Sequence, residues 1–266
     1  MLSLRTTQFG VVNCFVWETP VPRDLIIING NLATYRWWQL TLNKLQSRRL
    51  DPKNKSHLTI LDLPGCGGHA IKAPINFLDL VQDYKKLIQC LNLESLPSLL
   101  GHSTGGLIAA HLNAQSDLKF HHTALLNPVG AKGFTMNEQT THRYSKMQSD
   151  FDYSSKVIGA TIYNCDYESH FFKQVIAPDT FTSVQILGSA IVESMSGLDS
   201  TFVYKNMRSP TTLLYGEHDP LISYHDMLET AELSALTQLE VMSHVGHCPN
   251  IENPELMADI LLRYLH

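Results

Sequence analysis

Short apolar runs bounded by turn-forming residues punctuate the chain: Leu25–Ile28, Leu58–Leu61, Leu96–Leu100, Ala124–Leu126, Thr212–Tyr215 and Leu239–Met242. Runs this short and this continuously apolar read as strands buried on both faces. Helix-length segments separate them. Leu80, Tyr84, Leu87 and Leu91 recur on one helical face, and Met257, Ile260, Leu261 and Tyr264 do the same near the end of the chain. Each parallel strand needs a crossover to return the chain, so the alternation predicts an α/β fold with a mostly parallel central sheet flanked by helices. Phe9–Trp17 adds an expected antiparallel edge hairpin.

The rhythm stops from about Gly130 to Met207, where no buried strand is legible and aromatic residues are interspersed among polar ones. Tyr167–Ile176 and Asp179–Met195 are the best helices of this stretch, with Pro178 in a helix-start position. Within the second, Val184, Leu187, Ile191 and Met195 share one face. No linker or repeat separates the stretch as an independent body. The expected organisation is a core of residues 1–129 and 208–266, with a helical cap, 130–207, inserted in it.

Composition narrows the partners. The 266 residues carry a formal charge of −5 and 44% hydrophobic residues, which suits a packed globular body and offers no basic face for nucleic acid or anionic membrane. No run of eighteen uncharged apolar residues predicts a membrane span, and MLSLRTTQFG lacks the apolar stretch of a signal peptide. Cys14, Cys66, Cys90, Cys165 and Cys248 are odd in number, scattered and free of CxxC pairs, as expected of reduced thiols in a cytoplasm. The 13 histidines show no metal-ligand spacing such as HExxH, so neither metal nor cofactor is assigned. Gly65-Cys66-Gly67-Gly68 lacks the following Gly-Lys-Ser/Thr of a phosphate loop and reads as a structural turn. Cys66 and Cys248 read as small packing residues, because nothing beside them would lower a thiol pKa.

The most specific chemical signal is Gly101-His102-Ser103-Thr104-Gly105-Gly106, a G-x-S-x-G sequence directly after an apolar run and before the helix-compatible Leu107–Ala114. A tight strand-to-helix turn of this kind lifts a serine hydroxyl above the sheet and aims a helix N-terminus at developing negative charge. Serine is a weak nucleophile at neutral pH and needs a histidine base held by an acid. Gly216-Glu217-His218-Asp219-Pro220 follows one apolar run and Ser243-His244-Val245-Gly246-His247-Cys248-Pro249 the next, at the strand ends where open α/β sheets build their sites. Asp219 is the preferred acid, with Glu217 as rival; His247 is the preferred base, with His244 as rival. Trp37 and Trp38 are candidates for a substrate mouth, although such residues also serve core packing.

With these residues in hand, the chain resembles the α/β-hydrolase superfamily, in its cap-bearing serine esterase and thioesterase-like branch, nearly end to end. Asn29-Gly30-Asn31 followed by Tyr35 to Trp38 is similar to the family's His-Gly oxyanion loop, and Asp62-Leu63-Pro64-Gly65-Cys66-Gly67 to its Asp-x-x-Gly-x-Gly turn. The order Ser, Asp, His also matches. Two departures stand out, Asn29 in place of the usual histidine and Cys66 where histidine is common, so a different anchoring of the loop is expected. Leu126-Asn127-Pro128, where some members carry the acid, holds no carboxylate, which favours Asp219. The resemblance implies oxyanion donors at the backbone N–H groups of Asn31 and Thr104. It also implies an acyl-enzyme on Ser103, a small-molecule acyl substrate, ester or thioester, and no cofactor. The cap face, Val184, Leu187 and Ile191 in particular, is expected to help wall the substrate pocket. The same fold also hosts carbon–carbon bond hydrolases, lyases and hydrolase-like ligand receptors, which remain alternatives.

Overall fold

The computed structural model describes residues 4–9, 12–19, 23–48, 56–67, 71, 74–91, 93 and 95–265. Eight strands form one sheet: β1 (Leu4–Phe9), β2 (Val12–Thr19), β3 (Leu25–Ile28), β4 (Ser56–Leu61), β5 (Ser98–His102), β6 (Thr123–Leu126), β7 (Thr211–Gly216) and β8 (Thr237–Met242). Their spatial order is β1-β2-β4-β3-β5-β6-β7-β8. β1 pairs antiparallel with β2, and β2 with β4; every other pair is parallel. The hairpin expected around Phe9–Trp17 is therefore present and longer, with Phe9 opposite Val12 at its turn. Of the hairpin's two strands only β1 lies at the edge of the sheet, because β2 also pairs with β4.

Helices cover both faces, as parallel crossovers require. α1 (Gln39–Gln46) and the terminal α11 (Pro254–Leu265) pack with one face, where Leu42, Leu45, Met257, Ile260 and Leu261 meet Ile27, Leu100 and Leu214. α2 (Phe77–Cys90) and α3 (Thr104–Asn113) belong to the core of the other, with Leu80, Tyr84, Leu87, Ile108 and Leu112 buried against Ile26, Ile28 and Leu99. Asn76 starts α2 by accepting the N–H groups of Leu78 and Asp79. α9 (Tyr224–Ala231) and the short α10 (Pro249–Glu252) complete the set outside the β6–β7 connection.

Two strands differ from their apolar runs. β5 begins at Ser98, beyond Pro97, and continues through Gly101 and His102 because those residues pair with Ile28 and Leu126. β8 is an edge strand, not a fully buried one. Val241 is 45% exposed and Leu239 half-buried, as one free edge allows.

Between β6 and β7 the chain forms no strand and five α-helices: α4 (Glu138–Ser149), α5 (Phe151–Gly159), α6 (Ala177–Leu187), α7 (Ala190–Met195) and α8 (Thr201–Lys205). The helix expected across Tyr167–Ile176 begins later, at His170 after a turn, is π-wound over Phe172–Ile176 and runs directly into α6. The one expected across Asp179–Met195 is broken at Gly188, whose φ of 52° ends α6. Val184, Leu187, Ile191 and Met195 nevertheless remain buried in one core cluster.

Candidate active site

The G-x-S-x-G sequence forms the turn between β5 and α3. Ser103 sits at φ 54°, ψ −117°, a conformation that side chains rarely adopt and that costs on the order of 1–3 kcal/mol. The flanking glycines explain how the turn closes. A Cβ at Gly101 would lie 2.2 Å from the Gly105 carbonyl, and one at Gly105 would lie 2.2 Å from the Ile28 carbonyl, so α3 presses directly onto β5 and β3. The turn is held by the Ser103 N–H donating to the Leu126 carbonyl at 2.9 Å, and by the Gly106 N–H donating to the Ser103 carbonyl at 2.9 Å. Ser103 thereby caps a helix whose first N–H groups have no intrahelical acceptor.

The loop after β7 brings Asp219 under the loop after β8. Asp219 Oδ2 lies 2.7 Å from His247 Nδ1, with 0% of the aspartate side chain and 6% of the histidine side chain exposed. Asp219 Oδ1 accepts the N–H groups of Leu221 at 2.7 Å and Ile222 at 3.0 Å, so both carboxylate oxygens are committed. The carboxylate makes Nδ1 the protonated nitrogen and leaves Nε2 free to accept. Ser103, Thr104, His247 and Asn31 all line one cavity of about 980 Å³. Glu217 and His244 are exposed, lie outside its lining and meet each other, Glu217 Oε2 accepting the His244 N–H at 3.2 Å.

Three side chains to which the sequence assigns no role, the buried Asn127 and His102 and the half-buried Glu252, fix these loops. Asn127, at φ 43°, accepts the Gly216 N–H at 2.7 Å and donates from Nδ2 to the carbonyls of Gly246 at 2.8 Å and His247 at 3.1 Å. It ties the ends of β6, β7 and β8 together. His102 Nε2 donates to the same His247 carbonyl at 2.8 Å; burial, and then the neighbouring His247, push its pKa down to about 3, so it is a neutral strut. Glu252 accepts the N–H groups of Tyr163 at 2.9 Å, Cys248 at 3.0 Å and Gly246. Burial raises its pKa even against those donors. A polar residue at the end of an apolar strand, as Asn127 is, was the available signal.

The profile of the Alpha/beta hydrolase family matches residues 25–260, a span that takes in the serine turn, the acid loop and the histidine loop. The chain belongs to that family. It is 24% identical over 264 residues to the monoacylglycerol lipase ABHD6 of Homo sapiens, covering 91% of this chain and 75% of the relative. It is 22% identical to the biotin biosynthesis bifunctional protein BioHC of Teredinibacter turnerae, covering 91% of this chain and 44% of that protein. The enol-lactonase of Burkholderia xenovorans LB400 superposes with a TM-score of 0.76 at 18% identity, over 98% of this chain and 99% of that one. The 2-hydroxy-6-oxo-6-phenylhexa-2,4-dienoate hydrolase of Rhodococcus sp. strain RHA1 does so with 0.76 at 15%, over 99% of each.

The two departures from the family pattern have local consequences. Asn29 Nδ2 donates to Asp62 Oδ1 at 2.7 Å while Asn29 Oδ1 accepts Trp38 Nε1–H at 2.7 Å, so an amide bridges the loop to its neighbours. Burial drives the Asp62 carboxyl up to about 8, against the Asn29 bond, which favours the ionised form. The 0%-exposed Cys66 thiol is pushed up to about 12 by burial and then by Asp62, as a packing residue would be. From the other side, Asp179 of α6 accepts Thr34 Oγ1–H and pairs with Arg36 at 2.6 Å, gripping the loop that carries Asn31.

Of the pocket candidates, Trp37 lines the cavity. Trp38, Val184, Leu187 and Ile191 do not. Trp38 is 0% exposed and turned to Asn29, while Val184, Leu187 and Ile191 are buried in the core, Leu187 against Gly65. Breaking the helix at Gly188 turns α7 so that Val192 and Met195 reach the cavity. Tyr144 and Met147 of α4 and Val157 and Ile158 of α5 supply more of the wall, and Tyr144 Oη accepts Asn31 Nδ2–H at 3.2 Å. Those helices were unassigned because α4 is polar nearly all round, with only Met147 buried. Their caps were legible: Asn137 accepts the Thr140 N–H and Asp150 the Tyr153 N–H, each at 2.9 Å. Among the described residues no helix is long and apolar enough to cross a membrane.

Proposed function

We propose that this chain is a serine hydrolase that cleaves a small-molecule carboxylic ester or thioester through an acyl-enzyme on Ser103. One observation carries the reading. The strained Ser103 faces the same cavity as a buried histidine whose Nδ1 is fixed by a buried aspartate at 2.7 Å. Ser103 Oγ attacks the carbonyl carbon while His247 Nε2 takes its proton, and Asp219 stabilises the imidazolium without itself being protonated. The oxyanion that forms accepts hydrogen bonds from the N–H groups of Thr104 and Asn31, each worth on the order of 3 kcal/mol. The carbonyl-to-leaving-group bond then breaks, and His247 returns the proton to the departing alcohol or thiol. Water enters, gives a proton to His247 and attacks the acyl-enzyme, which releases the acid and restores Ser103.

The helical stretch 130–207 acts in this reading as a cap that selects substrate. Met147, Ile158 and Met195 give the cavity an apolar wall, and its volume of about 980 Å³ is at the upper end for small-molecule sites. A long or branched acyl chain fits that description. A panel of matched acyl esters and thioesters, varied in acyl length, tests the reading. Turnover that survives exchange of alcohol for thiol supports acyl transfer. Stoichiometric acylation without turnover would favour a ligand receptor, and inertness towards all of them would redirect the search to carbon–carbon bonds.

A further inference from the structure

Outside the cavity, the same two loops bring together Glu217, His218 and His244. One carboxylate oxygen and one imidazole nitrogen from each histidine lie within 4.8 Å of one another. His218 Nε2 and Glu217 Oε2 are 3.8 Å apart. All three residues are exposed, and none is paired with a lysine or arginine among the described residues. We infer that they form a surface site for a borderline divalent transition ion, of which zinc is the best match. Two imidazoles and one carboxylate are zinc ligands, with water completing a tetrahedron.

Bonds of about 2.0–2.1 Å set tetrahedral ligand atoms about 3.4 Å apart. Closing from 3.8–4.8 Å to that spacing is within the rotation of exposed side chains. Much of the arrangement is already ordered. The His218 ring stacks on Tyr163, with centroids 4.2 Å apart and planes 12° from parallel, which holds the imidazole in one orientation. His244 occupies φ 60°, an uncommon conformation for a residue with a side chain, and its N–H is held by Glu217. Neither restraint is explained by the chemistry at Ser103. Hard ions such as Mg²⁺ prefer all-oxygen octahedra and find no such set here.

The two histidines are 26 positions apart in the chain, so sequence spacing could not reveal them as a pair. An ion bound there bridges the loop that carries Asp219 to the loop that carries His247, and the site stands whether or not Ser103 is the nucleophile.

The test is calorimetric titration of tag-free protein with Zn²⁺, with Mg²⁺ as control, on the parent, His218→Ala, His244→Ala and the double variant. Circular dichroism confirms that each is folded. The expected result is one zinc per chain with a dissociation constant in the micromolar range, weakened at least tenfold by either single change and lost in the double, with no Mg²⁺ binding. Zinc binding that persists unchanged in the double variant would assign the ion to other histidines and overturn the proposal. So would absence of zinc binding to the parent.

Discussion

Replacing Asn127 tests how the sheet holds the loops that carry Asp219 and His247. Asn127→Ala removes the acceptor of the Gly216 N–H and the donor to the Gly246 carbonyl; the His247 carbonyl keeps its bond from His102. Two buried polar groups are orphaned, at about 1–3 kcal/mol each, which sums to about 2–6 kcal/mol. That is a large share of the roughly 5–15 kcal/mol that holds a protein folded. Alanine at φ 43° adds about 1 kcal/mol that glycine would not, so Asn127→Gly should be the milder variant by that amount. Asn127→Asp keeps an oxygen for Gly216 but sets another against two carbonyls, and only a protonated carboxyl can donate there. Its loss relative to the parent should therefore grow from about pH 5 to about pH 8. Urea denaturation gives the energies, and initial rates with an activated ester give turnover, which should fall because Gly216 leads to Asp219 and the His247 carbonyl is held directly. If Asn127→Ala costs under about 1 kcal/mol and keeps its turnover, the side chain does not organise these loops.

Asp219→Asn and His247→Ala should each lower turnover by orders of magnitude in folded protein, while Glu217→Gln changes it little; steady-state rates decide. Met195→Ala and Ile158→Ala should shift the acyl-length profile towards bulkier chains. Leu187→Ala should leave that profile alone and cost about 3–5 kcal/mol of stability, since Leu187 is 4% exposed and packed on the core. The buried Asp62 carboxyl, raised to about 8, stays protonated in the folded chain where the unfolded chain has released its proton. Its effect on stability therefore worsens as pH rises from about 4 to about 8, by up to about 1.4 kcal/mol per pH unit. Asp62→Asn, which keeps the oxygen that Asn29 uses, should flatten that slope in urea melts across the same range.

Strand positions were legible because parallel strands buried on both faces leave unbroken apolar runs, and the tight turn at Ser103 was legible because Gly101, Ser103 and Gly105 answer to one steric demand. Legibility failed where a residue's environment is made by distant chain. β8 carries an apolar run yet lies on an edge, which only the order of strands decides. α4 presents one buried residue, so its amphipathic signal is weak although Asn137 marks its start. The apolar face of Val184, Leu187 and Ile191 was read correctly as buried, but periodicity cannot say whether a face meets the core or a cavity. Of that face only Met195 lines the cavity, joined past the turn at Gly188 by Val192. The bracing role of Asn127 was not legible because its three partners come from the end of β7 and the loop after β8.

The most direct measurement of the catalytic assignment is site-resolved labelling of the folded chain with a fluorophosphonate probe, read by mass spectrometry beside ester turnover. Ser103 should be the one modified serine, with labelling and turnover lost together in Ser103→Ala. Modification of a different serine, or an alanine variant that still turns over ester at the parent's rate, would contradict a nucleophile at the β5–α3 turn.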